Sequence, residues 1–179
     1  MSEKAIDLNL SNPALEKKAL GLGWASALTA RVVDVSKAKA GQGNGMLVSA
    51  EAENGELLRR AASNPNVDLI NPLRTREFYR DAGLIRAVAE AGKAFEIPLA
   101  PLLATEFVFR AKLITQAREF VRRCVKLHAP VVFTSRAESE FDLKSPRETI
   151  ALIQLLGLSE QQARYAVSKA ALKIIGARK

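Results

Sequence analysis

Short apolar runs alternate with amphipathic segments along most of the chain. Aliphatic and β-branched residues cluster at 6–10, 67–70, 95–98 and 131–135, and such runs are typical of strands that are covered on both faces. Segments with a 3.6-residue apolar period lie between them, and the longest of these spans 105–128. Strands that are separated by helical segments of this length form βαβ units, so the pattern predicts an α/β fold with a parallel sheet.

Two helix starts near the carboxyl end are the most clearly marked boundaries. Ser145 precedes Pro146, and Glu148 follows Ser145 at the third position, which is the pattern of an N-cap, a first-position proline and a capping box. Ser159 and Gln162 repeat the capping-box spacing. The block therefore predicts a strand, a polar loop and two short helices.

The remaining elements complete a regular alternation. Asn44 and Gly45 suit a turn with positive φ, so we expect a hairpin or a loose turn there. Gly41, Gly43 and Gly45 do not have the spacing of a phosphate-binding fingerprint. About seven strands in this order fit a compact or incomplete (β/α) barrel, since a complete barrel usually needs about 250 residues. Further strands are predicted at 24–28, 31–35 and 46–50, and further helices at 12–21, 55–62 and 81–93.

Length and composition favour one globular domain over residues 1–179. The 179 residues are 48% apolar, which is enough for one sizeable core. No apolar run approaches the roughly 20 residues of a membrane span, and the start MSEKAIDLNLS lacks the pattern of a signal peptide. With a single cysteine there is no intramolecular disulfide framework. We expect a cytoplasmic protein.

Positive charge is confined to the last part of the chain. Residues 1–109 carry 13 basic and 13 acidic side chains, whereas residues 110–179 carry 14 basic and 6 acidic ones. A basic region on an otherwise neutral domain is typical of a polyanion-binding protein, although ordinary solubilising charge is the alternative. Aromatic residues make up only 6%, which favours structured RNA recognised by its backbone over stacked single strands.

Three cations surround the carboxyl end of one predicted strand and the amino end of the next helix. They are Arg136, Lys144 and Arg147, at a place where α/β folds bind anions. We predict that these three form the centre of an RNA-contacting face, unless each merely pairs with a nearby acid. The polar side of the long helix is expected to be a solvated face, with a ridge that faces nucleic acid as the alternative. Further neighbours predicted on the RNA-contacting face are Arg74, Arg76, Arg86 and Lys169.

Catalytic patterns are weak in this sequence. His128 is the only histidine and is expected to cap or pack at the end of the long helix, while Cys124 lies on the apolar stripe of that helix. A catalytic metal usually needs three or more ligands. We therefore predict no catalytic residue and no metal site in the protein. The alternative left open is an oxygen-only magnesium site from Asp7, Asp34, Asp68 and Glu96.

A family resemblance is carried by the segments TSRA, LKSPRETIALIQLLGLS and AVSKAALKII, with IDLNL, VDLINP and DAGLIRAVAEAGKAFEIPL preceding them in order. Together they resemble archaeal ribonuclease P protein component 3, the homologue of the eukaryotic thirty-kilodalton subunit. The resemblance implies a TIM-like barrel related to metal-dependent phosphoesterases. Where a related phosphoesterase carries paired histidines on its first strand, this chain has Asp7-Leu8-Asn9.

The resemblance also implies a function and partners. It implies a subunit that binds and stabilises the catalytic RNA of ribonuclease P for removal of 5′ leaders from precursor tRNA. The RNA would perform the hydrolysis with its own magnesium, and the protein would carry no cofactor. Implied partners are that RNA, precursor tRNA indirectly, and the component 2 protein in a dimer of heterodimers. A phosphoesterase on the same barrel, or a module whose basic face binds an acidic protein, are the alternatives.

Overall fold

The computed structural model describes residues 4–36 and 45–177. From residue 47 to residue 134 strands and α-helices alternate as the apolar pattern predicts, whereas no described helix separates the strands at 26–27, 30–34 and 47–51. The strands are β1 (Ile6–Asp7), β2 (Ser26–Ala27), β3 (Ala30–Asp34), β4 (Leu47–Glu51), β5 (Leu69–Asn71), β6 (Ala94–Pro98) and β7 (Val131–Thr134). The helices are α1 (Glu16–Gly21), α2 (Gly55–Ala62), α3 (Ala82–Glu90), α4 (Leu99–Ala104), α5 (Phe107–Lys126), α6 (Pro146–Leu155), α7 (Glu160–Val167) and α8 (Lys169–Gly176).

All the described strand pairs are parallel. β3 to β7 form one sheet in sequence order, and β1 pairs with β2 in a second, short sheet. The first and last strands, β1 and β7, come together just beyond their carboxyl ends, where the Arg136 N–H donates to the Asn9 carbonyl at 2.9 Å. Strand pairing in the described residues therefore forms an incomplete barrel. The α/β class and the TIM-like arrangement are confirmed.

Of the two turns expected at Asn44 and Gly45, the hairpin is wrong, whereas the positive φ is observed at Gly45 (86°). β3 and β4 pair in parallel, with Ala30 opposite Leu47 and Asp34 opposite Glu51. Parallel neighbours require the chain to cross back along the sheet, which a tight turn cannot achieve. Asn44 itself lies outside the described residues.

The barrel interior is apolar at the amino ends of the strands and polar at their carboxyl ends. Side chains two residues apart on a strand share a face, so Leu47 is followed inside by Ser49, and Ala94 by Glu96. α8 closes the amino end, because Ala170, Ala171 and Ile174 pack in the same buried cluster as the first interior layer. The second, polar layer is where a ligand would enter a barrel of this class.

Helix boundaries follow the predicted caps closely. Ser145 with Glu148 and Ser159 with Gln162 both form complete capping boxes, and each satisfies backbone donors that the first helical turn leaves open. The sequence did not separate α4 from α5, or α8 from α7. The second break lies at Ser168, whose backbone leaves the helical region at φ −127° and ψ −86°.

α5 presents the predicted apolar stripe to the core. Ala117, Phe120 and Cys124 on this stripe are fully buried. His128 lies just beyond the helix in a left-handed conformation (φ 55°) and is exposed, so the packed alternative is wrong. Its backbone N–H donates to the Val125 carbonyl at 3.2 Å, so the residue caps the helix end as the other alternative predicted. No helix among residues 4–36 and 45–177 is long and apolar enough to cross a membrane.

Candidate functional site

Arg136 turns inward from the end of β7 and fills the barrel mouth, the space at the carboxyl ends of the strands. Its backbone adopts a left-handed conformation with φ 47°, which is costly for a residue with a side chain and persists only where its surroundings hold it. Its side chain is only 10% exposed. We therefore correct the predicted position of Arg136, which lies inside the barrel and not on the surface with Lys144 and Arg147.

Glu96 is the main partner of Arg136 and is fully buried. The guanidinium donates through Nε to Oε1 at 3.0 Å and through Nη2 to Oε2 at 2.8 Å, which is the two-pronged geometry that suits an arginine and a carboxylate. Oε1 also accepts from Asn9 Nδ2 at 2.8 Å and from Thr134 Oγ1 at 2.7 Å. The Ser49 hydroxyl donates to Oε2. The two carboxylate oxygens of Glu96 thus accept five hydrogen bonds.

The pKa values of this pair follow from burial and from mutual attraction. Burial alone raises the pKa of Glu96, but the hydrogen bonds and charge of Arg136, with the two hydroxyls, hold it below its ordinary value. Burial opposes the charge of Arg136, yet Glu96 and Glu51 raise its pKa above the ordinary value. Both groups are therefore ionised at neutral pH.

A second layer of charge lies outside this pair. Glu51 accepts from Arg136 Nη1 at 3.5 Å, from Asn71 Nδ2 at 3.2 Å and from Arg74 Nη1 at 2.8 Å. Arg74 also lies 3.3 Å from an Asp34 carboxylate oxygen. The hydrogen bond that Arg74 donates to Glu51 is the largest cause of the raised pKa of Arg74. Arg74 and Arg136 thus meet at one rim of the barrel, where both contact Glu51.

Carboxylates surround the two arginines of the mouth. Four of them lie within 3.5 Å of the guanidinium groups, so each arginine already has acidic partners. The carboxylates are those of Asp34, Glu51, Glu53 and Glu96.

The four candidate magnesium ligands do not converge. Asp7 is buried beside β7 and accepts from the backbone N–H groups of Asn9 and Ser135; burial raises its pKa, which disfavours the charge that a metal requires. Asp68 lies before β5 and accepts from the Val48 N–H at 2.7 Å, at the opposite end of the strands from Glu96. Within 4–36 and 45–177 no group of three or more metal-ligating side chains occurs.

Lys144 and Arg147 lie on the outer side of the barrel, around the start of α6. Lys144 Nζ donates to the carbonyls of Phe141 and Leu143 at 2.7 and 3.2 Å. Hydrogen bonds from Ser139 are the main cause of the lowered pKa of Asp142, and the charge of Lys144 adds to them. Arg147 is exposed and makes no ion pair with a described residue. These two predicted residues lie near each other, and neither forms an ion pair with the carboxylates of the mouth.

Arg147 lines a lateral groove, which we call the α6 groove. It runs between α6, α7 and the start of β1 and has a volume of about 850 Å³. Lys4 lies along it and has no ion-pair partner in the described chain, whereas Arg164 pairs with Glu160 at 2.7 Å. The groove therefore carries a small positive excess.

The other predicted residues lie elsewhere. Arg76 is exposed beyond β5, and Lys169 is exposed at the start of α8. Arg86 is exposed on α3 and lines a second groove, the α5 groove, which has cations from α5 on its other side. The predicted set is thus distributed over several faces of the barrel. Ser49 and Glu51 were not predicted, although a polar residue inside an apolar strand is the signal that identifies them.

Comparison with known proteins agrees with this architecture. Residues 6–179 match the model of the family described as RNase P subunit p30. Ribonuclease P protein component 3 of Methanosarcina mazei is 36% identical over 118 residues, which cover 65% of this chain and 49% of that protein. The Methanosarcina acetivorans protein of the same name is 37% identical, with the same coverage. The chain spans about half the length of these relatives.

A solved structure shares the fold. A chain in the cryo-EM structure of archaeal ribonuclease P with mature tRNA superposes with a TM-score of 0.68 and 20% identity. The match covers 90% of this chain and 74% of that chain. At this identity the similarity shows the fold.

Proposed function

The chain belongs to the RNase P subunit p30 family, and from this we propose that it is a protein subunit of ribonuclease P. In this role it binds and stabilises the catalytic RNA that removes 5′ leaders from precursor tRNA. The observation that carries the proposal is the family match over residues 6–179. Its site of action is then the cytoplasm.

The charge distribution supports RNA as the partner. The whole positive excess lies in residues 110–179, and cations on a rigid scaffold bind RNA phosphates by releasing counterions. Lys144 and Arg147 are the proposed centre of the contact. Arg74 and Arg136 act indirectly in this proposal, because their guanidinium groups are held by carboxylates of the mouth. Proposed neighbours in the contact are Arg76, Arg86 and Lys169.

The barrel mouth supports a non-catalytic role for the protein. The carboxylates of Glu51 and Glu96 face the guanidinium of Arg136, and a divalent cation would have to displace that charge to reach them. The donor set therefore does not fit a magnesium ion. We propose that the RNA holds the magnesium that performs the hydrolysis, and that this chain holds no cofactor.

An exposed apolar patch supports a protein partner. Phe107, Val108 and Phe109 begin α5 and are 88%, 78% and 73% exposed, and neighbouring exposed apolar side chains are typical of protein interfaces. We propose that the component 2 protein covers this patch, within a dimer of heterodimers. Replacing Phe107 and Phe109 by serine should abolish the heterodimer in size-exclusion chromatography. Phe141→Ser, at a residue that is 91% exposed elsewhere, is the matched control; equal loss in both would contradict the proposed interface.

RNA binding is tested by the salt dependence of affinity for an archaeal ribonuclease P RNA. The logarithm of the binding constant falls as the logarithm of the salt concentration rises. Lys144→Ala and Arg147→Ala should each make this slope shallower by about 0.7 to 0.9, because one phosphate contact is lost. Arg80→Ala, at an exposed arginine beside Glu77, should leave the slope unchanged. Wild-type protein that binds the RNA with no salt dependence would argue against the function itself.

Catalysis is tested separately. The isolated protein should cleave phosphoesters no faster than background with magnesium, manganese or zinc. Reconstitution with the RNA and its partner proteins should give cleavage of precursor tRNA that a chelator stops. Metal-dependent cleavage by the protein alone, lost in Asp7→Ala, would instead favour a phosphoesterase.

A further inference from the structure

The α5 groove, between α3 and α5, is lined mainly by cations. Its volume is about 770 Å³. Five cations line it, against the single carboxylate of Glu119, which is already paired with Arg123 at 2.8 Å. The cations are Arg86, Arg118, Arg122, Arg123 and Lys126.

The uncompensated charge is concentrated on one face of α5. Arg118, Arg122 and Lys126 are spaced four residues apart, so their Cα atoms rise in steps of about 6 Å along one side of the helix. Like charges at this spacing repel one another along a helix. Arg122 and Lys126 make no ion pair with a described residue. A bound polyanion would remove this repulsion.

Helix capping explains only part of the arrangement. Cations in the last turn of a helix stabilise its dipole, and Arg123 and Lys126 occupy that turn. Arg118 lies two turns earlier and binds the Leu155 carbonyl through Nε and Nη2 at 3.1 and 2.7 Å. That acceptor is neutral, so the positive charge of Arg118 is retained. Arg86 reaches the same groove from a different helix and has no acidic partner in the described chain.

The groove chemistry selects the class of ligand. Four of the five cations are arginines, whose planar forks match phosphate oxygens. No aromatic side chain lines the groove, so it lacks the stacking surface of a single-strand binder. It also lacks the buried aromatic or aliphatic anchors that dominate protein interfaces. A row of cations without base-reading or stacking groups suits the backbone of a folded RNA.

We propose that the α5 groove binds the phosphate backbone of double-helical RNA, as a second contact surface separate from Lys144 and Arg147. The proposal rests on the RNA-binding function proposed above and specifies where a further part of the RNA lies. Arg147 is on α6, whereas the groove cations are on α3 and α5, so one chain presents RNA-binding charge on two faces of the barrel. The polar side of α5, for which the sequence favoured a solvated face over a ridge that faces nucleic acid, then has a function.

The test compares double variants that each remove two positive charges. Arg122→Gln with Lys126→Gln should lower the salt slope for a defined RNA duplex by about 1.4 to 1.8, because two phosphate contacts are lost. The control, Arg60→Gln with Arg80→Gln, removes two exposed cations that do not line the groove, one on α2 and one just before α3, and should change the slope little. Circular dichroism confirms that both variants are folded.

The outcomes separate the groove from the general function. If wild type binds the duplex with a steep salt slope and the groove variant behaves like the control, the groove proposal is overturned while RNA binding stands. If Lys144→Gln with Arg147→Gln also has no effect and wild type shows no salt-dependent binding, both proposals fail. Binding of polyglutamate as tight as binding of the duplex, lost in the groove variant, would identify an acidic protein as the ligand and overturn RNA.

Discussion

Replacing Arg136 by methionine tests whether the mouth network stabilises the fold through charge. The variant keeps the length of the side chain and the left-handed backbone, but it leaves the carboxylate of Glu96, which is 0% exposed, without its cation. Removing one partner of a buried ion pair costs about 3 to 5 kcal/mol, because the other charge stays buried and uncompensated. For a chain of this size the loss corresponds to a fall in Tm of roughly 6 to 20 °C.

The pH dependence of the stability loss in Arg136→Met shows whether the charge of Glu96 causes it. In wild type the folded pKa of Glu96 is below its ordinary value of 4.5, so its contribution to stability is present above that value and is lost as the pH falls through the folded pKa. In Arg136→Met burial dominates and the folded pKa of Glu96 rises above 4.5, so the carboxylate destabilises the fold at neutral pH. That penalty disappears as acid protonates the carboxyl. The difference between the two proteins should therefore narrow as the pH is lowered from 7 towards 4.

Urea unfolding followed by circular dichroism at several pH values measures this difference. The double variant Glu96→Gln with Arg136→Met should recover much of the loss at pH 7, because the uncompensated charge is gone, and the double-mutant cycle gives the coupling energy directly. The reasoning is refuted if Arg136→Met costs less than about 1 kcal/mol, far below the expected range. It is also refuted if the cost is the same at pH 4 and pH 7.

Three further predictions concern stability and reactivity. Ser145→Ala removes the N-cap that binds the Glu148 N–H and should lower the free energy of unfolding by about 1 kcal/mol; an unchanged midpoint would show that the capping box contributes nothing. Gly157→Ala should cost about 1 to 2 kcal/mol, since its φ is 95° and a Cβ would lie 3.3 Å from Arg118 Cγ, whereas Gly21→Ala, where the Cβ meets open space, should cost less in the same melt. Cys124 is buried and its thiol pKa is raised by burial, so a thiol reagent should modify it only in denaturant; rapid reaction of the native protein would contradict this.

Local features of the fold were predictable because each depends on a few neighbouring residues. Helix α2 begins and ends at Gly55 and Ala62, as predicted, and both capping boxes form between residues three positions apart. The basic carboxyl-terminal region likewise needs only a count of side chains. Such features require no knowledge of what the rest of the chain does.

The pairing of β3 with β4 and the position of Arg136 were decided by the tertiary structure. A glycine-rich segment is compatible with a hairpin or with a parallel crossover, and only the closing of the sheet into a curved barrel selects the parallel pair. Arg136 follows β7 by two residues, so its position in the chain suits an exposed loop cation equally well.

The direction in which the Arg136 side chain points depends on partners far away in sequence. Glu96 and Glu51 lie 40 and 85 residues before Arg136, and both reach the same end of the barrel because parallel strands align their carboxyl ends. The sequence by itself thus determined most of the helices, the two capping boxes, the α/β class and the sign of the charge. The tertiary structure decided which cations remain available to the proposed RNA partner, because a guanidinium that meets buried carboxylates is held inside, whereas one that meets only solvent or neutral carbonyls is free to bind phosphate.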